Sequence, residues 1–169
     1  YAQYYQDIHL LVNWANNGSE IRSSVIHKGD TPSRFVVNEA LYFSAGLTFP
    51  RTTAKGFNVR VMPEGCIFGN KGPAIFPSID RHYLLGVLNS EVAGQLLRMM
   101  TTSRSWENSI IKALPIPDSS HLSKDIASIV AEIVVASRST YNFDETTRTF
   151  TATIMAVRDF SQEEHRRSL

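Results

Sequence analysis

The spacing of apolar positions along this 169-residue chain changes period twice. Over Tyr1 to Ala15, Ile8, Leu11, Val12 and Ala15 recur at helical spacing, and Asn16-Asn17-Gly18 follows as a stop, so the pattern predicts a helix that ends there. Lys28 to Ser33 (KGDTPS) has the composition of a loop. From Phe35 the period shortens. Phe35–Val37, Leu47–Pro50, Phe57–Met62, Cys66–Phe68 and Ala74–Phe76 read as short strands, punctuated by Pro50, Gly56, Pro63-Glu64-Gly65 and Gly69-Asn70-Lys71-Gly72-Pro73. Strands this short do not close a core alone and need helices on one face.

The helical period returns at Arg81–Leu88. Asn89-Ser90 then breaks the chain and supplies an N-cap, and Val92, Leu96, Leu97 and Met100 form one face of a second helix. Residues 101–105 are a polar loop. Ile110-Ile111 and Leu114-Pro115-Ile116-Pro117 predict an extended exit, because the prolines exclude helix. A serine cluster precedes a helix carrying Leu122, Ile126, Ile129 and Ile133, a stripe too short for a long coiled coil. Asp144–Phe160 is weakly helical, its β-branched residues opposing the helix, and Ser161–Leu169 is a charged end expected to fray.

The expected fold class is α+β: a small twisted β-sheet backed by helices, with a C-terminal helical segment. The chain divides into residues 1–20, a helical linker from a preceding domain; 21–117, the α+β core; and 118–169, the C-terminal helical segment. Tyr42 and Phe43 are core candidates, and Trp14 is expected to pack its helix against whatever precedes it.

Composition narrows the class. An apolar fraction of 43% with 20% charged residues belongs to a folded chain. There is no long apolar run to span a membrane and no signal-peptide pattern. Tyr1 stands where a start methionine would, so a fragment of a larger protein is expected. Cys66 is the only cysteine, which fits a reducing cytoplasm, and it reads as a small buried hydrophobe. The net charge of +1 is uninformative, but its distribution is not. From Ile21 to Arg81 eight Lys or Arg meet four Asp or Glu, whereas from Ala113 onward six meet eight. The basic excess in the first half suits a phosphate-lined partner.

Catalytic motifs are missing. His9, His27, His82, His121 and His165 are scattered without metal-ligand spacing. Lys55-Gly56 and Gly69-Asn70-Lys71-Gly72 lack the Gly-Lys-Ser/Thr order of a phosphate loop, and neither a Gly-x-Ser-x-Gly elbow nor a dinucleotide-binding glycine pattern occurs. Pro117-Asp118 is not followed by the Glu-x-Lys of a nuclease metal site. No catalytic residue, metal or cofactor is expected within this chain, and it is not expected to be an enzyme by itself.

The order of parts carries a resemblance. "YFSAGLTFPRTTAKGFNVRVMPEGCIFGNKGPAIFP" is followed by "YLLGVLNSEVAGQLLRMM", a polar loop, "IIKALPIP" and an amphipathic helix. This resembles the target-recognition domain of DNA adenine methyltransferases in bacterial defence systems, in particular the fused methylases of type IIG restriction–modification and of the BREX phage-exclusion system. Its later part is also similar to target-recognition domains of type I specificity subunits. The resemblance covers Tyr42 to Val135, and its most specific pieces are Leu84–Ser90 and Leu114–Pro117.

It implies that residues 21–117 are a target-recognition core whose partner is double-stranded DNA. It also implies that a methyltransferase domain of the parent chain binds S-adenosylmethionine and transfers the methyl group to adenine. Within such a face, Arg51, Arg60 and Arg104 suit guanine, Asn58 and Asn70 suit adenine, and Lys55 and Lys71 suit phosphates. Thr52, Thr53 and Ser103 suit either. The plainer reading of these loops is solvated turns, with Trp106 anchoring the second to the core. An alternative function is a protein-docking module that binds a subunit or a phage inhibitor through the Leu122–Ile133 stripe, without DNA contact.

Overall fold

Strand alternation and capped helices account for the computed structural model, which describes residues 2–101, 105–118, 122–147 and 149–153. The elements are α1 (Ala15–His27), β1 (Gly46–Thr48), β2 (Arg60–Met62), β3 (Ala74–Ile75), α2 (Arg81–Leu88), α3 (Glu91–Met100), α4 (Asn108–Lys112) and α5 (Ser123–Ser139). Single 3-10 turns lie at Pro32–Arg34, Glu39–Leu41 and Thr140–Phe143. The fold is α+β, with one antiparallel sheet in the order β2-β1-β3.

Leu47 sits opposite Val61 on one side and Ile75 on the other. Period-two alternation therefore puts one face of the sheet, with Phe49, Phe57 and Val59, against the helices. Leu84, Leu85 and Leu88 of α2, Leu97 of α3 and Val130 of α5 meet that face, with Trp106, Ile111 and Leu114 closing the side. Both middle helices begin at a side-chain cap, α3 at the one the sequence places and α2 at Asp80. The Asp80 carboxylate accepts from the Tyr83 N–H at 2.8 Å, and the Ser90 hydroxyl accepts from the Ala93 N–H at 3.2 Å. Gly86 lets α5 lie against α2, since a Cβ there would come within 2.8 Å of Val130 Cγ2.

Asn89 ties the helices to the sheet. Its Oδ1 accepts from the Val59 N–H at 2.9 Å and its Nδ2 donates to the Val59 carbonyl at 2.8 Å. Val59 is fully buried, so this side-chain amide supplies the Val59 N–H with the acceptor that the interior otherwise withholds.

A second cluster is aromatic. Trp14 stacks edge-on against Tyr42 (5.2 Å between ring centroids), Tyr42 against Phe68 (5.1 Å), and Phe68 leans on Phe76 (5.5 Å). Tyr42 is buried as expected. Phe43 is exposed.

Several expected elements differ. The helix predicted over Tyr1–Ala15 does not form in residues 2–14, and α1 begins where that helix was to end. The N-terminal segment lends its backbone to the sheet instead: the Tyr4 N–H donates to the Val59 carbonyl and the Val61 N–H donates to the Tyr4 carbonyl, both at 2.9 Å. Beta2 is an edge strand, and covering that edge outweighs a helix whose Leu10 and Leu11 would have no core to enter. Within α1, Asn16, Asn17 and Gly18 have left-handed backbones, so regular helix starts at Ser19. Trp14 packs on Gly18, where a Cβ would fall 2.8 Å from its ring.

Phe35–Val37 follows a proline-initiated 3-10 turn and has no strand partner. Cys66–Phe68 spends its bonds on Phe43, whose N–H donates to the Cys66 carbonyl at 2.8 Å. Ile110 and Ile111 are helical, the extended exit beginning only after Lys112. Of the Asp144–Phe160 segment, the described residues 144–147 and 149–153 are not helical, and 154–160 lie outside the described residues.

Candidate nucleic-acid interface

Three loops meet at the end of β1. Thr52 pairs with Ser105 as an isolated bridge, the Arg51 N–H donates to the Lys71 carbonyl at 3.1 Å, and the Trp106 N–H donates to the Arg51 carbonyl at 2.7 Å. Residues 51–56, 69–72 and 105–109 are thereby joined through the backbone of one residue. Its side chain repeats the job: Arg51 Nη2 donates to both carboxylate oxygens of Glu107 at 2.8 Å, and Nη1 donates to Asn70 Oδ1. A planar fork suits such a three-way clamp. Trp106 roots the third loop, its ring 5.5 Å from Phe57 in the core.

Most of the residues predicted to face a partner gather here. Arg51, Thr52, Thr53 and Lys55 are on the first loop, and Asn70 and Lys71 on the second. Thr53 Oγ1 accepts from the Lys55 N–H at 3.1 Å, folding the loop back in a hydroxyl turn. Lys55 and Lys71 are exposed and form no ion pair among the described residues. Ser103 and Arg104 lie outside the described residues.

Two predicted residues are not brought to this end. Asn58 is fully buried, its Nδ2 donating to the Gly56 carbonyl at 3.3 Å and its Oδ1 unpartnered. Arg60 lies between the core-facing Val59 and Val61, so its side chain leaves by the sheet face away from the helices. Burial there lowers its pKa from the ordinary guanidinium value, and Tyr141 opposes the shift.

The structure adds residues that the sequence did not single out. A hollow of about 570 Å³ beside the clamp is bordered by Arg34, Asn38, Asn108, Arg51 and Asn70. Arg34 is paired with Asp30 at 2.6 Å and Asn38 adopts a left-handed backbone, a geometry asparagine tolerates. Arg98 of α3 also joins, since a Cβ on Gly56 would lie 3.9 Å from its Nη2. None had a local signal: Asn108 follows Glu107 on the third loop, while Arg34, Asn38 and Arg98 come from other segments and meet the loops only through the fold.

The Leu122–Ile133 stripe is partly spent on packing. Val130 is buried and Ile126 packs on the core, while Leu122 and Ile129 remain exposed. An apolar groove of about 510 Å³ runs between α2, α3 and α5, bordered by Val92, Leu96, Ile129 and Ile133. Among the described residues, no group of three or more His, Cys, Asp or Glu is placed to hold a metal, and no helix is long and apolar enough to cross a membrane.

No family model matches the sequence. The chain is similar to two curated proteins. It is 24% identical over 157 residues to the adenine-specific methyltransferase PglX of Lacticaseibacillus casei (strain Zhang), an alignment spanning 92% of this chain and 13% of that protein. It is 24% identical over 144 residues to the adenine-specific methyltransferase BrxX of Escherichia coli O9:H4 (strain HS), spanning 83% of this chain and 11% of that protein. The chain thus corresponds to a small part of the length of either relative.

Proposed function

We propose that this chain is the sequence-reading part of a longer adenine-specific DNA methyltransferase of bacterial phage defence, with duplex DNA as its partner and no catalysis of its own. One observation carries the reading. The fold gathers Lys55 and Lys71, two cations without an ion pair among the described residues, with exposed amides and hydroxyls on three loops at one end. Duplex DNA demands that combination: point charges for phosphates, amides and forks for base edges. Similarity to two adenine-specific methyltransferases supports it.

S-adenosylmethionine would be held elsewhere in the longer protein, in the cytoplasm. The described residues do not fit that group, because Gly65, Gly69 and Gly72 sit in turns between short strands and not between a strand and a helix N-terminus.

A second reading rests on the apolar groove, where Val92 and Ile129 are 70% and 58% exposed. Such a surface suits a protein partner. Salt separates the two. In the whole gene product, duplex binding should weaken steeply with salt, and Lys55→Ala and Lys71→Ala should each reduce the slope of log K against log salt by about one. A salt-independent interaction, unchanged by both substitutions, would contradict the DNA reading and favour docking.

A further inference from the structure

Side chains that read bases must be free to do so, and at this end of the molecule the amides divide by that criterion. Asn70 is committed through its Oδ1 to Arg51, and Arg51 is committed to Glu107 and Asn70. Asn58 is buried. Asn38 and Asn108 differ: both are exposed, both border the hollow beside the clamp, and neither side chain makes a hydrogen bond among the described residues. Trp106 forms part of the same wall, and its indole N–H is buried with no acceptor among the described residues. The protein side of this hollow therefore presents two complete amides, with the buried Trp106 indole behind them.

We infer that Asn38 and Asn108 read adenine, and that Arg51, Glu107 and Asn70 form the frame that positions them. The inference rests on the DNA-recognition reading above. A free amide matches adenine in the major groove: Nδ2 donates to N7 while Oδ1 accepts from the N6 amino group. The clamp acts indirectly. Glu107 is followed by Asn108 at the start of α4, so the carboxylate that holds Arg51 also fixes where the neighbouring amide stands. Asn38 reaches the same hollow from the turn before the 3-10 segment Glu39–Leu41. Its left-handed backbone is one that aspartate and glycine also accept, so it can be altered without strain.

The test is selection of bound duplexes from a randomised pool by the whole gene product, followed by sequencing, with Lys55→Ala as the reference. Asn38→Asp and Asn108→Asp keep shape but exchange the donor for an acceptor. Each should lose preference for adenine at one position by about five- to a hundredfold and shift it toward cytosine, whose N4 amino group a carboxylate accepts from. Asn38→Gly should lose the same preference without gaining cytosine. Glu107→Gln should blur both positions together while shifting the unfolding midpoint only slightly, a loss of preference out of proportion to the loss of stability that a merely structural role would not give. If Arg51→Ala relaxes a single position while both Asn→Asp variants keep the original preference, the inference is overturned and the DNA reading stands. If no variant, Lys55→Ala included, changes affinity, preference or salt slope, the DNA reading itself has failed and the inference goes with it.

Discussion

Asparagine is used in opposite ways in two regions of this molecule. Behind the sheet, Asn89 is wedged between helix and strand with both ends of its amide on Val59. At the loop end, Asn38 and Asn108 stand exposed with both ends free. The first region is held by burial: Leu47, Phe49, Val59, Leu85 and Leu97 are fully removed from water, and a polar group left unpaired there costs stability. The second is held by one arginine clamping three loops, with charges and amides left over. Stability and recognition are thereby assigned to different ends, so substitutions should separate them.

The largest effect is expected in the core. Leu85→Ala, at a fully buried position, should lower unfolding free energy by about 2–5 kcal/mol in urea, with little change in DNA preference of the protein that remains folded. Asn89→Ala comes next. It leaves the Val59 N–H buried without its partner and should cost about 1–3 kcal/mol by the same measurement. Equal loss of affinity at unchanged stability in either variant would break the separation.

Smaller effects are expected at the loops. The Arg51–Glu107 pair is about a third exposed on the arginine side and more on the glutamate side, so screening keeps its contribution to about 0.2–1 kcal/mol. Glu107→Gln should therefore shift the thermal midpoint slightly. A shift as large as that of Asn89→Ala would show that the clamp supports the core and not only the loops. Lys55→Ala should leave stability within about 0.5 kcal/mol.

What could be read from the sequence follows the same division. Helices α2, α3 and α5 were legible because an apolar period, and for α3 the cap at Ser90, announce them locally. Three of the five expected strands formed, the ones whose alternating residues found a helix-covered face. The N-terminal helix was misread because Ile8, Leu11 and Val12 satisfy helical spacing, while the edge of β2 that claims Tyr4 lies far along the chain. The same distance hid the loop end. Arg51 and Asn70 could be named as candidates, but the Glu107 carboxylate that occupies Arg51 is 56 residues away, and Asn38 and Asn108 carry no motif. Asn58 looked like a reader because a side-chain amide suits adenine, yet the segment leading into β2 buries it completely.

Amide hydrogen exchange of the whole gene product, with and without duplex DNA carrying its recognised sequence, tests the central claim most directly. The account predicts slowed exchange in residues 51–56, 69–72 and 105–109, and in the turn around Asn38, with the groove face of α3 and α5 unchanged. Protection confined to that apolar face, around Val92 and Ile129, with the three loops exchanging as before, would contradict it.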